Sequence, residues 1–200
     1  MKSKFTEIYL KQLWKTSDGL SGAGSTIDAT AEIREQLPQL LKKYKIQTLV
    51  DVPCGDLAWI SKITDQIENY IGGDIVEELV ADAKTQYPEL DIRCIDLLKD
   101  ELPEGDALMV RDCLIHFSPE SLEEFKRLIK ESKYKYLLTS SFDKSKLKPI
   151  HMGLVNKEIE DGGMSLLCLE EEPHNFPQPL DKIEEQFIGK YLGIWEVSSL

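Results

Sequence analysis

The chain has 200 residues, 42% of them apolar and 30% charged, a composition typical of one folded domain and not of a disordered chain. Its 24 basic and 36 acidic side chains give a formal charge of −12, which disfavours nucleic acids and anionic membrane surfaces as partners. No apolar run approaches the ~20 residues of a membrane span, and no signal peptide opens the chain. The four cysteines are far apart, which disfavours a disulfide framework or a metal site and predicts a cytoplasmic protein.

An amphipathic helix is predicted before the first strand. Apolar residues at helical spacing mark one face of residues 29–44, and Pro38 inside this pattern is expected to kink the helix or to start a second turn. Ser25 and Asp28 have the spacing of a capping box, so they can begin this helix. The segment upstream, residues 21–25, is rich in glycine and serine.

The middle of the chain alternates short apolar runs with amphipathic stretches, which is the pattern of a parallel α/β sheet. Strands are predicted at residues 47–52, 69–74, 92–95, 106–111 and 134–139. Helices are predicted at residues 57–68, at 76–87 and after Ser118. Ser118 is a good N-cap, followed by proline at the first helical position. This order predicts five strand–helix units.

The C-terminal part has a different character. Residues 144–179 contain many prolines and glycines, and loops of such length in compact domains are usually functional. Residues 182–188 and 191–198 then predict a closing pair of strands around Gly189.

Acidic residues end the first three predicted strands. Asp51 ends the first and is followed by a tight turn at Gly55 that precedes the predicted helix. Asp74 ends the second strand, where an acid can accept hydrogen bonds from both ribose hydroxyls of a nucleoside. Asp96 follows the third strand. The carboxyl ends of parallel strands meet at one edge, so the sequence predicts a nucleotide site there.

These residues resemble the class I S-adenosylmethionine-dependent methyltransferases, whose first strand runs into an acid-x-Gly-x-Gly-x-Gly turn. Here the turn has Pro53, Gly55 and Leu57 at the glycine positions, so only the middle glycine is present. A bacterial and viral subgroup carries DVPCGD at this turn, a tryptophan with SG-x-GS upstream, RDCL-x-H after the fourth strand and a terminal LG-x-W. The chain has all four of these motifs, at residues 51–56, at Trp14 with 21–25, at 111–116 and at 192–195.

The resemblance implies a Rossmann-like class I methyltransferase fold, with a seven-stranded, mostly parallel sheet, a terminal antiparallel strand and a helical N-terminal arm. It implies a single domain, with an arm or lid at 1–45, a cofactor-binding core at 46–143, and acceptor-side loops with a terminal hairpin at 144–200. The cofactor that the resemblance implies is S-adenosylmethionine, with S-adenosylhomocysteine as the product. The cofactor-binding residues that it implies are Trp14, Ser21, Gly22, Ser25, Asp51, Pro53, Gly55, Asp74, Ile75, Asp96, Leu97 and Arg111.

Several of these residues also have a purely structural interpretation. Residues 21–25 are either a flexible loop or a lid that binds the cofactor carboxylate, and Trp14 is either an anchor of the arm or a wall of the site. Leu97 packs on adenine or only fills the core. Arg111 can pair with Asp112 and do nothing more.

His116 and Asp112 are the predicted catalytic residues. His116 follows the fourth strand, where an acceptor meets the sulfonium, and it is either a general base or a structural histidine. Asp112 can orient His116, bind a sugar hydroxyl or hold a metal, although no dense cluster of metal ligands is present in the sequence.

Members of the resembled subgroup often lie beside glycosyltransferases or are fused to them. This implies methyl transfer to an oxygen of a sugar, nucleotide-sugar or oligosaccharide, with a glycosyltransferase as a partner or fused domain. The alternatives are a small-molecule or protein methyltransferase and a non-catalytic Rossmann-like binding domain. A nicotinamide oxidoreductase is disfavoured because residues 53–58 lack the G-x-G-x-x-G pattern.

Overall fold

A computed structural model describes all of residues 1–200. It contains one seven-stranded sheet with the strand order β3-β2-β1-β4-β5-β7-β6. The strands are β1 (Thr48–Asp51), β2 (Asn69–Asp74), β3 (Asp91–Cys94), β4 (Ala107–Val110), β5 (Tyr136–Phe142), β6 (Asp181–Glu184) and β7 (Lys190–Glu196). Strands β1 to β5 are parallel, whereas β7 is antiparallel to both β5 and β6. The predicted fold class is therefore confirmed.

Four helices accompany the sheet: α1 (Lys2–Leu10), α2 (Ala31–Tyr44), α3 (Glu77–Gln86) and α4 (Pro119–Glu131). Two apolar clusters fill the two faces, since side chains of parallel strands point alternately to either side. One cluster packs α2 and residues 57–67 against the sheet, and the other packs α4 and residues 166–169. No helix has the length and apolar character that crossing a membrane requires.

The predicted helix over residues 57–68 is wrong. Two short 3₁₀ turns, Ile60–Lys62 and Thr64–Gln66, replace it. Ile60, Ile63 and Ile67 are nevertheless buried, because successive 3₁₀ turns bring a similar spacing of side chains onto one side. The β-branched residues here disfavour a regular helix, so this apolar spacing was not specific for one.

The prediction of five strand–helix units is also wrong, because a full α-helix follows only β2 and β4. The helix before β1 begins after Thr30, and Ser25 instead ends a separate 3₁₀ turn, so the predicted capping box does not form. Pro38 lies inside α2, which continues past it to Tyr44. The predicted start of α4 is confirmed, since the Ser118 hydroxyl accepts a hydrogen bond from the Ser121 N–H at 3.2 Å.

The closing hairpin brings the end of the chain back to the carboxyl edge of the sheet. Gly189, at φ +78°, lies in the turn between β6 and β7, and Lys190 pairs with Phe142 at the carboxyl end of β5. Residues of this hairpin thus reach the same edge as the carboxyl ends of β1 to β4, which is where the fold places ligand sites.

Candidate functional site

One cavity lies at the carboxyl ends of β1 to β4, and nearly all the predicted site residues line it. They are Trp14, Ser21, Ser25, Asp51, Pro53, Gly55, Asp74, Ile75, Asp96, Leu97, Arg111, Asp112 and His116. Gly22 is the exception: it adopts φ +90° beside Trp14 and does not line the cavity. The fold therefore brings together residues that are more than 100 positions apart in the chain.

Two buried carboxyl groups form the floor of this cavity. Asp51 accepts a hydrogen bond from the Tyr70 hydroxyl at 2.8 Å, and Asp74 accepts from the N–H groups of Gly55 at 3.2 Å and Val76 at 3.0 Å. Burial raises the pKa of Asp51 to about 7 and the pKa of Asp74 to about 6, even though these hydrogen bonds favour the ionised forms. A ligand that brings positive charge or hydrogen-bond donors would stabilise the ionised forms of these two carboxyl groups.

The turn after β1 is pressed against the arm. Gly55 has φ +59°, and a Cβ atom there would lie 2.6 Å from the Ser21 Oγ, so a larger residue does not fit. The Asp56 N–H donates to the Ser21 hydroxyl at 3.0 Å, and the Asp56 carboxylate accepts from the Leu20 N–H. These contacts fix residues 20–21 directly over the turn.

The residues that follow β3 form one wall of the cavity. The Asp96 carboxylate accepts a hydrogen bond from the Leu98 N–H at 3.1 Å, and the Asp96 N–H donates to the Asp100 carboxylate at 2.8 Å. Leu97 is buried next to it, and Ile75 supplies a further apolar side chain after β2. The wall therefore combines apolar surface with one carboxylate.

Arg111, Asp112, Glu185 and Lys190 form a buried ion-pair cluster beside the cavity. Arg111 contacts Glu185 at 2.6 Å and Asp112 at 3.2 Å, and Lys190 contacts Asp112 at 2.6 Å and Glu185 at 3.0 Å. The Glu185 side chain is fully buried. Two positive and two negative groups balance, as buried charges require.

Asp112 is held in its ionised form by this cluster. Burial by itself would raise the pKa of Asp112, but the positive charges of Arg111 and Lys190 outweigh burial and lower it below its usual range. Ser140 also donates to the carboxylate at 3.1 Å. Asp112 adopts φ +53°, an unusual backbone conformation for a residue other than glycine. Each of its oxygen atoms already has a partner.

The arm contacts the ion-pair cluster through Gly24. The Gly24 carbonyl accepts a hydrogen bond from Arg111 at 2.7 Å. A Cβ atom at Gly24 would lie 2.9 Å from Asp112 Oδ2 and 3.5 Å from Lys190 Nζ. Only a glycine therefore fits without displacing an aspartate that is fixed by three side chains.

His116 lies in an aromatic environment. Its ring stacks on Trp14, with centroids 5.3 Å apart, and meets the edge of Phe5 at 5.8 Å. Nδ1 is 2.6 Å from the Gly163 carbonyl, which can only accept, so Nδ1 carries the proton and Nε2 keeps its lone pair. Burial lowers the pKa of His116, although the Gly163 carbonyl opposes this shift. Asp112 makes no hydrogen bond to the ring, so the Gly163 carbonyl and the aromatic rings orient His116, and of the three roles left open for Asp112 this one has no hydrogen bond to support it.

The residues that sequence reasoning missed at this site include Asp56 and two further groups. Glu185 and Lys190 lie more than 70 positions from their partners, and no local pattern marked them. Met1, which caps the N-terminal helix, and Phe5, Ile8 and Tyr9 of that helix also line the cavity, and their spacing at i, i+4, i+7 and i+8 was a usable signal of a helix face.

The cavity is acidic. Five aspartates line it, Asp51, Asp56, Asp74, Asp96 and Asp112; Arg111 and Lys190 balance the charge of Asp112, and Asp51, with a pKa of about 7, is partly protonated at neutral pH. No three His, Cys, Asp or Glu side chains are grouped in a way that could hold a metal ion. The arrangement can therefore stabilise a cationic ligand and accept hydrogen bonds from hydroxyl groups.

Comparison with known proteins identifies the fold. No protein-family model and no curated protein matches the chain. Among solved structures it is similar to the PH0226 protein from Pyrococcus horikoshii OT3, with 16% identity and a TM-score of 0.61 over 87% of this chain and 93% of that one. An S-adenosylmethionine-dependent methyltransferase from Clostridium acetobutylicum ATCC 824 gives 12% identity and a TM-score of 0.59 over 97% and 98%.

PigF with SAH is similar as well, with 14% identity and a TM-score of 0.62 over 84% of this chain and 56% of PigF. At such identities the similarity concerns the fold. The chain has the Rossmann-like fold found in S-adenosylmethionine-dependent methyltransferases.

Proposed function

We propose that this protein is an S-adenosylmethionine-dependent methyltransferase. The observation that carries the proposal is the convergence of Asp51, Asp74 and Asp96 with the Gly55 turn on one cavity. An acid at the end of the second strand, beside a glycine turn, is an arrangement that binds the ribose of a nucleoside.

The size and charge of the site fit this cofactor. The cavity spans four neighbouring strand ends, which at a strand spacing of ~4.8 Å is about 14 Å. That length suits an elongated nucleoside bearing an amino-acid chain. S-adenosylmethionine carries a net positive charge, whereas a nicotinamide dinucleotide carries two phosphates that the ionised aspartates of the cavity would repel.

Each part of the cofactor has candidate partners in this chain. Asp74 would accept hydrogen bonds from the ribose hydroxyls, and Asp96, Ile75 and Leu97 would surround the adenine. Ser21, Ser25 and Arg111 would hold the carboxylate of the amino-acid part. The bound cofactor supplies a methyl group that its sulfonium already activates.

His116 is the candidate general base. Its Nε2 lone pair is free because Nδ1 donates to Gly163, and the lowered pKa keeps the ring neutral near pH 7. A neutral imidazole at this position can take the proton from an acceptor hydroxyl. The positive charges of Arg111 and Lys190 lower the pKa of Asp112, so a role in positioning the site suits it better than proton transfer.

The acceptor that we propose is a hydroxyl group of a sugar, nucleotide-sugar or oligosaccharide. This proposal is supported by the four sequence motifs, which resemble those of a methyltransferase subgroup often found beside or fused to glycosyltransferases. A glycosyltransferase would then be the partner of this protein. All four cysteines are free thiols, which supports a cytoplasmic location. A second candidate is a small molecule with a flat apolar face, which the aromatic walls at Phe5 and Trp14 favour.

An acceptor screen tests this function. The purified protein is incubated with S-adenosylmethionine and panels of nucleotide-sugars, short oligosaccharides and aromatic hydroxy compounds, and S-adenosylhomocysteine release is measured. We expect release above the acceptor-free rate with at least one sugar compound, and loss of that release in His116→Phe. Release with aromatic compounds alone would replace the sugar by the second candidate.

A further inference from the structure

Helix α1 covers the cavity, but none of its side chains belongs to the apolar core of the protein. None of its nine residues is buried. Its apolar face, with Phe5, Ile8 and Tyr9 following Met1, is turned toward the cavity. Phe5 packs against Trp14 and His116, whereas Leu10 at the end of the helix is 60% exposed.

Two polar contacts join α1 to α3, and both lie at the surface. Lys2 pairs with Glu77 at 2.5 Å, and the Tyr9 hydroxyl donates to Asp82 at 2.6 Å. Exposed ion pairs stabilise a fold only slightly. Helices shorter than about 12 residues are marginal in water unless an apolar face is packed. The stability of α1 therefore depends on what fills the cavity beneath it.

The wall of the cavity that faces α1 indicates which ligand fills it. Both polar contacts join α1 to α3, which follows β2, so the helix lies toward the side of the sheet where Asp74 and Asp96 end their strands. Ile75 and Leu97 provide apolar surface between these two carboxylates. A ligand that fits between this wall and α1 needs a flat apolar ring and hydroxyl donors, which is the chemistry of a purine nucleoside.

We propose that the apolar face of α1 is the upper wall of an adenosine site, and that α1 becomes stably helical only when this site is filled. The proposal rests on the proposed function, since the adenosine is part of S-adenosylmethionine. The helix residues Ile8 and Tyr9 then contact the nucleoside, and cofactor exchange requires α1 to open.

Hydrogen exchange of the full-length protein tests the proposal without any turnover. We expect saturating S-adenosylhomocysteine to slow amide exchange in residues 4–10 about tenfold or more, and adenosine alone to do the same. Methionine alone should have no such effect. Helix α4, which buries Leu122, Phe125 and Ile129, is the internal control and should not change.

A matched pair of variants locates the contact. Ile8→Ser removes an apolar side chain that faces the cavity, and Leu10→Ser makes the same kind of change on the exposed side of the same helix. We expect Ile8→Ser to weaken S-adenosylhomocysteine binding about tenfold, the scale of one buried aliphatic side chain, and to lose the protection. Leu10→Ser should stay within about twofold of the wild type.

The outcomes separate this inference from the proposed function. If calorimetry detects S-adenosylhomocysteine binding but exchange in α1 does not change, the inference is overturned and the function stands. Full protection of α1 without ligand, or equal effects of the two serine variants, also overturns it. If S-adenosylhomocysteine does not bind at all, both fail together.

Discussion

The floor of the cavity and its cover are built in different ways. The floor consists of Asp51 and Asp74 at the ends of the neighbouring strands β1 and β2, each fixed by hydrogen bonds and buried. The cover consists of α1 and the following segment to Ser25. It is attached to the rest of the protein by a few hydrogen bonds, such as those from Asp56 to Ser21 and from Arg111 to Gly24. The floor is thus part of the core, whereas the cover can separate from it without unfolding the sheet.

This difference suggests that the floor recognises the ligand and that the cover controls its entry. Buried, hydrogen-bonded groups have a fixed geometry that suits recognition, and weakly packed segments have the low opening energies that ligand entry requires. Substitutions of Asp51 or Asp74 in the floor should therefore change cofactor affinity, and substitutions of the general base His116 should change the rate of methyl transfer. Substitutions in the cover should change how tightly the ligand is enclosed.

The largest effect is expected at His116. His116→Ala should lower turnover on the true acceptor by about 10²–10⁴-fold, because a hydroxyl acceptor loses its general base. His116→Phe retains an aromatic ring against Trp14 and should lose turnover to a similar extent while it keeps cofactor affinity. His174→Ala, which lies outside the cavity, is the control. Steady-state kinetics that show near-normal turnover in His116→Phe would exclude the base role.

The sequence predicted the floor of the cavity, but not the buried ion pairs beside it. Asp51, Gly55 and Asp74 stand next to apolar runs that form strands, so local pattern and fold topology together placed them. Glu185 and Lys190 could not be found, because their pairing with Arg111 and Asp112 depends on the return path of the terminal hairpin. The spacing of Ile60, Ile63 and Ile67 fitted two kinds of helical turn, and only packing decided between them.

Removal of residues 1–26 is the direct test of the cover. The truncated chain should keep a cooperative thermal transition, since no α1 residue belongs to the core, but it should bind S-adenosylhomocysteine about 100-fold more weakly. Calorimetry and a thermal melt measure the two properties. Full affinity after truncation would show that the cover does not enclose the cofactor.

Asp74→Ala tests the floor. Loss of a charge-assisted hydrogen bond to the ribose should weaken binding by about 1.5–3 kcal/mol. Asp65→Ala removes an exposed carboxylate elsewhere and should leave affinity unchanged. An unchanged dissociation constant for Asp74→Ala in calorimetry would remove Asp74 from the ribose site.

The pH dependence of binding should reflect the same carboxylate. The pKa of Asp74 is raised to about 6, and only its ionised form accepts both hydroxyl hydrogen bonds, so affinity should fall as the pH drops. Between pH 8 and pH 5.5 this one group accounts for a loss of about fourfold. Asp74→Asn should lack this part of the pH dependence, and an equal slope in the variant would assign the titration to another group.

Gly24→Ala should have the smallest effect and the most local one. The added methyl group meets Asp112 Oδ2, which Lys190 and Arg111 prevent from moving freely, so the cover should close less well. We expect cofactor affinity to fall about threefold with little change in melting temperature. Gly153→Ala, where the new Cβ meets nothing, is the matched control. Equal affinities in the two variants would show that the Gly24 contact does not control closure.

Calorimetric titration of the wild-type protein with S-adenosylmethionine, S-adenosylhomocysteine and NAD⁺ tests the central claim most directly. The Asp74 and Gly55 site for a ribose predicts that both adenosyl compounds bind with one molecule per chain, and the aspartates of the cavity predict that the dinucleotide does not bind. Binding of NAD⁺, or failure of both adenosyl compounds to bind, would contradict the assignment of this cavity.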